Sequence, residues 1–272
     1  MTEPQQLELA GTAGRVIVWH WAADAPRFVA VISHGYGEHA RRYDHVVERL
    51  VAAGAEVYAP DHQGHGRSDG DRVFIETFDD YARDLAAAIS LATGRHPGLP
   101  VVLIGHSMGG AISARYVQRE GTDALAALVL SGPFIGGNPD LMGLVNLDPI
   151  PDVPIDPAGL SRDPATGQAY LDDEYVYHGP FLRETLLAIE VALADIAAGP
   201  DVGALPAIWL HGEDDPIAPF PLAEAALPRL IGAEGRRKSY PGARHEIFNE
   251  TNRDEVIADV IAFLGEHVPV RG

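Results

Sequence analysis

Residues 102–111, VLIGHSMGGA, set one serine between glycines directly after an apolar run. Either Ser107 is a nucleophile on a sharp turn, or it is a small residue at an ordinary helix start. The flanking pattern decides. VVLIG is short, continuously apolar and rich in β-branched residues, as a buried strand is. MGGAISARYV follows with helical spacing and stops at Gly121. Ser107 therefore falls at a strand–turn–helix junction. Gly105 and Gly109 mark the positions where a side chain would clash with so tight a backbone. A hydroxyl there projects at a helix N-terminus, whose free N–H groups and dipole favour developing negative charge.

On either side of this junction, β-rich runs alternate with amphipathic helical patterns, the signature of a mostly parallel central sheet flanked by helices. Strands are predicted over 15–21, 28–33, 56–59, 101–104, 127–130, 207–210 and 236–240, the first two as an antiparallel hairpin. Tyr43, Val46, Val47, Leu50 and Val51 form one helical face that Gly54 stops. Thr77 and Asp80 resemble a capping box ahead of a helix ending at Gly94. Val256, Val260, Ile261 and Leu264 form the last helical face.

The alternation breaks over 134–201. GGNPDLMGLVNLDPIPDVPIDPAGL (136–160) has five prolines and no period, and reads as an irregular loop. Pro180 then opens a helix with Leu182, Leu186, Ile189, Leu193 and Ile196 on one face. The expected organisation is a core domain of 1–133 and 202–272, with 134–201 inserted as a cap.

Composition narrows the function classes. The 272 residues, 46% hydrophobic and 22% charged, suit one large soluble α/β domain. There is no cysteine, hence no disulfide framework and no thiolate chemistry. A net charge of −19 argues against a nucleic-acid partner, which needs clustered cations, and against electrostatic docking on anionic lipid. MTEPQQLELAG lacks a basic start and an apolar core, so the expected location is cytoplasmic. No run reaches the ~18 apolar residues of a membrane span.

A serine hydroxyl needs a base within hydrogen-bond reach, itself oriented by a carboxylate. After a nucleophile on such a turn the partners follow as acid, then histidine. His178, His211, His245 and His267 lie downstream. His178 falls in the insertion, His211 precedes the expected acid and His267 is in the tail. His245, between the final strand and the final helix, sits at the carboxyl edge of the sheet. The acid should end the preceding strand, where Asp214 and Asp215 compete and spacing does not separate them. The backbone N–H groups of Met108 and of Tyr36, which lies between two glycines after an early strand, are the expected oxyanion donors.

Metal and nucleotide readings are weaker. His34 with His39, and His62 with His65, lack a third ligand at a persuasive spacing, so no metal site is expected. No G-x-G-x-x-G or P-loop pattern follows a strand, so no cofactor is expected.

Five motifs in this order, HGYGEHARRYDHV (34–46), PDHQGHGRSDGDR (60–72), GHSMGG (105–110), HGEDDPIAP (211–219) and PGARHEIFNE (241–250), resemble the monoacylglycerol lipase and lysophospholipase branch of the α/β-hydrolases. The resemblance spans nearly the whole chain. It implies the α/β-hydrolase fold and selects Asp215, three residues after Gly212, as the acid. It assigns nucleophile and base to Ser107 and His245, and the oxyanion donors to Tyr36 and Met108. It also implies that Arg42 and Tyr170 line the headgroup pocket. The insertion looks short, and Thr166 stands where some relatives place a headgroup-binding glutamate. The expected activity is cofactor-independent hydrolysis of a lipid ester, monoacylglycerol first. Lysophospholipase, broad carboxylesterase and a non-catalytic binding protein are the rivals. An apolar insertion including Leu141, Met142, Leu144 and Val145 is expected to meet the lipid aggregate.

Overall fold

A computed structural model describes residues 3–269; the outermost positions of the expected core domain lie outside them. The strands are β1 (Gln5–Gly11), β2 (Gly14–Trp21), β3 (Phe28–Ser33), β4 (Ala55–Pro60), β5 (Val101–His106), β6 (Ala127–Ser131), β7 (Ala207–Gly212) and β8 (Arg236–Tyr240). They form one sheet in the order β1-β2-β4-β3-β5-β6-β7-β8, parallel from β4 to β8.

The helices are α1 (Asp44–Ala52), α2 (Asp79–Arg95), α3 (Met108–Glu120), α4 (Pro139–Gly143), α5 (Pro164–Asp172), α6 (Arg183–Ala198), α7 (Phe220–Ile231) and α8 (Arg253–His267). Successive strand side chains point to opposite faces, so one strand feeds two cores. Val29 and Val31 of β3, with Leu103 of β5, pack beneath α2 and α3. Ala30 and Ile32, with Val102 and Ile104, pack against the faces of α1 and α8 that carry Val47, Leu50, Val256 and Val260. Burial on both sides is why the central strands read as continuous apolar runs.

Three local expectations are corrected. The predicted strands 15–21 and 28–33 are not hairpin partners. β2 pairs antiparallel with β1 and with β4, while β3 lies between β4 and β5. β1 escapes notice because it is an edge strand with Leu7 as its one buried side chain. The Thr77–Asp80 box does not form. α2 starts at Asp79 with no side-chain cap, because Asp80 turns forward to Arg83 while Asp79 binds Arg115 and Arg119 of α3. α2 then runs one residue past Gly94.

Between β6 and β7, the stretch read as irregular contains α4, capped by Asn138, and a 3-10 turn at Pro157–Gly159 capped by Asp156. α5 follows, capped by Asp163. Each begins with proline after an Asn or Asp, a start signal that too short a run of apolar periodicity hides. α6 begins at Arg183 rather than Pro180. Its Leu186, Ile189 and Ile196 are buried as the pattern requires.

After β3 the chain moves outward to β4, then crosses back to β5 on the other side of β3. The direction reversal opens a crevice at the carboxyl ends of β3 and β5, where Tyr36 and Ser107 lie.

Candidate active site

Ser107 occupies the N-cap position of α3 with φ 54° and ψ −121°, a strained conformation for a residue with a side chain. Two glycines make the turn fit. A Cβ on Gly105 would meet Ser113 Oγ and the Gly109 carbonyl; one on Gly109 would meet the carbonyls of Ser33 and His34. The start of α3 is thereby pressed against the end of β3.

The Ser107 hydroxyl donates to His245 Nε2 at 2.8 Å, and His245 Nδ1–H donates to Asp215 Oδ2 at 2.7 Å. The two aspartates left open by spacing separate cleanly, since Asp215 is buried and Asp214 is exposed. Asp215 Oδ1 accepts the N–H groups of Ile217 and Ala218 at 2.8 and 2.9 Å, which fixes the carboxylate plane. Burial penalises its charge, but His245 and His211 hold the carboxyl well below its ordinary range. Burial likewise disfavours a charged His245, yet the Asp215 carboxylate, with Glu246 and Glu38 behind it, raises its pKa above the ordinary 6.5.

The loop that carries His245 is held by residues 159 and 160. His245 N–H and Glu246 N–H donate to the carbonyls of Gly159 and Leu160 at 3.4 and 2.8 Å. Of the other downstream histidines, His178 and His267 are exposed. His211 is fully buried and contacts Asp215 Oδ2 at 3.1 Å. Among the described residues, the N–H groups of Tyr36 and Met108 have no acceptor, and both residues border the same cavity as Ser107.

That cavity measures about 480 Å³, within the range of small-molecule sites. Phe134, Leu141, Leu144, Ile155, Leu186 and Ile189 give it an apolar wall. Its polar wall is one connected cluster. Arg42 binds Glu246 through both forks, at 2.6 and 2.8 Å, and Glu38 at 2.8 Å. Its guanidinium lies 5.3 Å above the Tyr170 ring. Arg42 and Tyr170 thus border the cavity, but the guanidinium is already bound to two carboxylates. Glu38 also accepts Gly35 N–H at 2.6 Å and the Tyr43 hydroxyl at 2.7 Å, tying the Tyr36 loop to this cluster. Burial opposes the Glu38 charge, but Arg42 outweighs it and the Glu38 pKa falls below its ordinary value. Sequence reasoning missed Glu38 and Glu246; their signal was an acidic residue inside each of two motifs that also carried a site residue.

Thr166 donates to the Asn249 carbonyl at 2.9 Å and does not border the cavity. Leu141, Met142, Leu144 and Val145 are half-buried, whereas Leu147 and Val153 are exposed. Among the described residues, no helix is long and apolar enough to cross a membrane.

The paired histidines serve the turns. His34 Nδ1–H donates to the Gly35 carbonyl at 2.8 Å and Nε2 accepts His62 N–H at 2.9 Å. Burial keeps His34 neutral, with its pKa lowered to about 3. His39 pairs with Asp173, and His65 Nδ1–H donates to the Gln63 carbonyl. Away from the site, His20, Glu56 and His96 converge. His20 Nε2 and Glu56 Oε1 are 2.5 Å apart, a hydrogen-bond separation shorter than the roughly 3.3 Å between two ligands of a tetrahedral zinc ion.

Relatives carry the same architecture. The serine aminopeptidase S33 model, Hydrolase_4, matches residues 24–252. The chain belongs to this family. It is 36% identical to a monoacylglycerol lipase of Mycolicibacterium smegmatis, over 95% of this chain and 96% of that one. The monoacylglycerol lipase of Paleococcus ferrophilus superposes with a TM-score of 0.79 at 25% identity, covering 92% of this chain and 99% of that one. A thermostable carboxyl esterase from Bacillus coagulans in complex with glycerol gives 0.80 at 25% identity, covering 98% and 99%. The fold is that of the α/β-hydrolases, and this member is a monoacylglycerol lipase-like serine hydrolase.

Proposed function

We propose that this α/β-hydrolase cleaves monoacylglycerols to fatty acid and glycerol, with Ser107 as nucleophile, His245 as general base and acid, and Asp215 as the orienting acid. The observation that carries the reading is the unbroken relay from Asp215 through His245 to the Ser107 hydroxyl. Ser107 Oγ attacks the ester carbonyl while His245 Nε2 takes its proton. Asp215 stabilises the imidazolium. The N–H groups of Tyr36 and Met108 receive the oxyanion. Collapse expels the alcohol, protonated by His245, and water releases the acid from Ser107 by the same steps in reverse order.

Residues 134–201 act as a cap over the nucleophile. Support comes from their apolar contribution to the cavity wall and from the bonds that Gly159 and Leu160 make to the base loop. Val153, both exposed and bordering the cavity, marks its rim and is the point at which a lipid aggregate would meet the cavity mouth.

The polar wall favours a neutral headgroup. Two carboxylates against one guanidinium leave it net negative, so an anionic headgroup would meet repulsion there. That ranks monoacylglycerol above anionic lysophospholipids. A broad carboxylesterase is the second reading, favoured by the likeness to the Bacillus coagulans esterase. Fluorophosphonate labelling of wild type and Ser107→Ala tests the nucleophile. Hydrolysis of esters matched in chain length, carrying glycerol, lysophosphatidyl or simple alkyl headgroups, tests the substrate. Unlabelled wild type would remove the triad assignment, and equal rates on all three headgroups would leave a general esterase.

A further inference from the structure

We propose that His211 is a positioning residue of the hydrolysis: a neutral imidazole, locked in one tautomer by Trp209, whose N–H edge stands beside the Asp215 oxygen facing His245 and thereby sets the basicity of the catalytic imidazole. The proposal rests on the triad reading above.

The tautomer follows from donor chemistry. Trp209 and His211 alternate along β7 and share a face. Trp209 Nε1 lies 2.8 Å from His211 Nδ1. An indole N–H only donates, so Nδ1 must be the accepting, unprotonated nitrogen and Nε2 carries the hydrogen. That Nε2–H donates to the Ala218 carbonyl at 2.8 Å, and Nε2 also lies 3.1 Å from Asp215 Oδ2. The ring is fully buried, and Phe220 packs on both it and Trp209.

Asp215 Oδ2 therefore has two imidazoles beside it: it accepts His245 Nδ1–H at 2.7 Å, and His211 Nε2, whose hydrogen is bonded to Ala218, stands 3.1 Å away. The His245 hydrogen bond and the nearby His211 N–H dipole both withdraw charge from that oxygen. Without His211 the same charge falls on the His245 N–H alone, which favours the imidazolium. Removing the donor therefore raises the His245 pKa. Hydrolysis needs neutral His245, so the acid limb of the rate profile moves to higher pH. The carboxylate also becomes freer to rotate, although Ile217 and Ala218 N–H still hold Oδ1.

Other groups around His245 are fixed by different contacts and are left in place. His106 packs against its ring at 4.9 Å, and Glu38 and Glu246 are held by Arg42. His106 stays neutral because burial and the neighbouring His245 lower its pKa to about 4.

The test is the pH dependence of kcat/KM, normalised to active sites titrated with a fluorophosphonate. His211→Leu removes the donor, His211→Gln restores an N–H donor and an acceptor for Trp209, and Trp209→Phe releases the tautomer lock. In His211→Leu, kcat/KM is expected to fall roughly 10- to 100-fold near neutral pH, with the acid limb raised by about half to one pH unit. Trp209→Phe should move the limb the same way by less, and His211→Gln should stay near wild type. Trp209→Phe carries the test if His211→Leu does not fold. An unmoved acid limb in the folded donor-deficient variants, or an equal loss in His211→Gln, would overturn the proposal and leave His211 a packing residue. Failure of wild type to label would instead strike the triad reading beneath it.

Discussion

Arg42 and Glu246 stand 204 positions apart, yet they share two hydrogen bonds of 2.6 and 2.8 Å in a nearly buried fork. The same guanidinium also holds Glu38, whose carboxylate accepts the Gly35 N–H. One side chain thus joins the loop expected to receive the oxyanion to the loop carrying His245. Arg42→Met would leave two buried carboxylates without their counter-charge, a change that costs on the order of 3–5 kcal/mol. The expected outcome is a loss of that size in urea unfolding. Arg42→Lys should recover only part of it, because an ammonium cannot match the bidentate fork. Full stability in Arg42→Met would show that the cluster carries no net structural weight.

The choice between adjacent aspartates gives a sharper prediction. Asp215→Asn keeps the shape but removes the charge that orients and stabilises the His245 imidazolium, so kcat should drop on the order of 10⁴-fold. Asp214→Asn alters an exposed group and should stay within a few-fold of wild type. Ser107→Ala and His245→Ala should each lose nearly all activity, the double variant being little worse, because the relay acts as a unit. Steady-state kinetics on folded variants decides both points, and a reversed ranking of the aspartates would refute the relay described here.

The elbow was legible because its constraints are local. A strand, a strained turn and a helix each leave their own spacing, and Gly105 and Gly109 are present because carbonyl and side-chain atoms stand where a Cβ would go. The parallel core strands were legible for a similar reason, being buried on both faces. Strand pairing was not: β2 bonds to β4 across an intervening β3 in sequence, and nothing within 15–33 encodes that choice. The choice of Asp215 needed either family likeness or burial, since both candidates lie in the same turn. Arg42's two carboxylate partners are also set by tertiary contact, Glu246 lying 204 positions further along the chain.

The rate profile should carry the electrostatics of the site. Asp215, Glu246 and Glu38 overcome burial and raise the His245 pKa above 6.5. Activity requires the neutral base, so a raised pKa moves the acid limb up. The midpoint of that limb in kcat/KM should lie above pH 6.5, activity growing as pH increases through it. Glu246→Gln removes one of the charges responsible and should shift the limb downward. A midpoint below 6.5 in wild type, measured with a non-ionising ester, would contradict this balance of burial and charge.

Substrate size follows from the two walls of one cavity. The cavity of about 480 Å³ has a mostly apolar wall and a polar wall made of the Glu38–Arg42–Glu246 cluster and Tyr170, and the proposed function puts the acyl chain against the first and the headgroup against the second. A second acyl chain on the same glycerol would have to lie against that polar cluster. Covering it with hydrocarbon strips water from a charged cluster and replaces a hydroxyl contact with none, at a cost of roughly 1–3 kcal/mol, or about tenfold to a hundredfold in rate. Monoacylglycerols are therefore expected to be cleaved at least tenfold faster than diacylglycerols of the same chain, with triacylglycerols slower still. The comparison should use kcat/KM below the critical micelle concentration, so that packing at an interface does not enter the rate. If Arg42, Glu38 and Glu246 set the limit, Glu38→Gln with Glu246→Gln should narrow the gap between mono- and diacyl substrates. Equal wild-type rates on the two would mean that the polar wall does not select the headgroup.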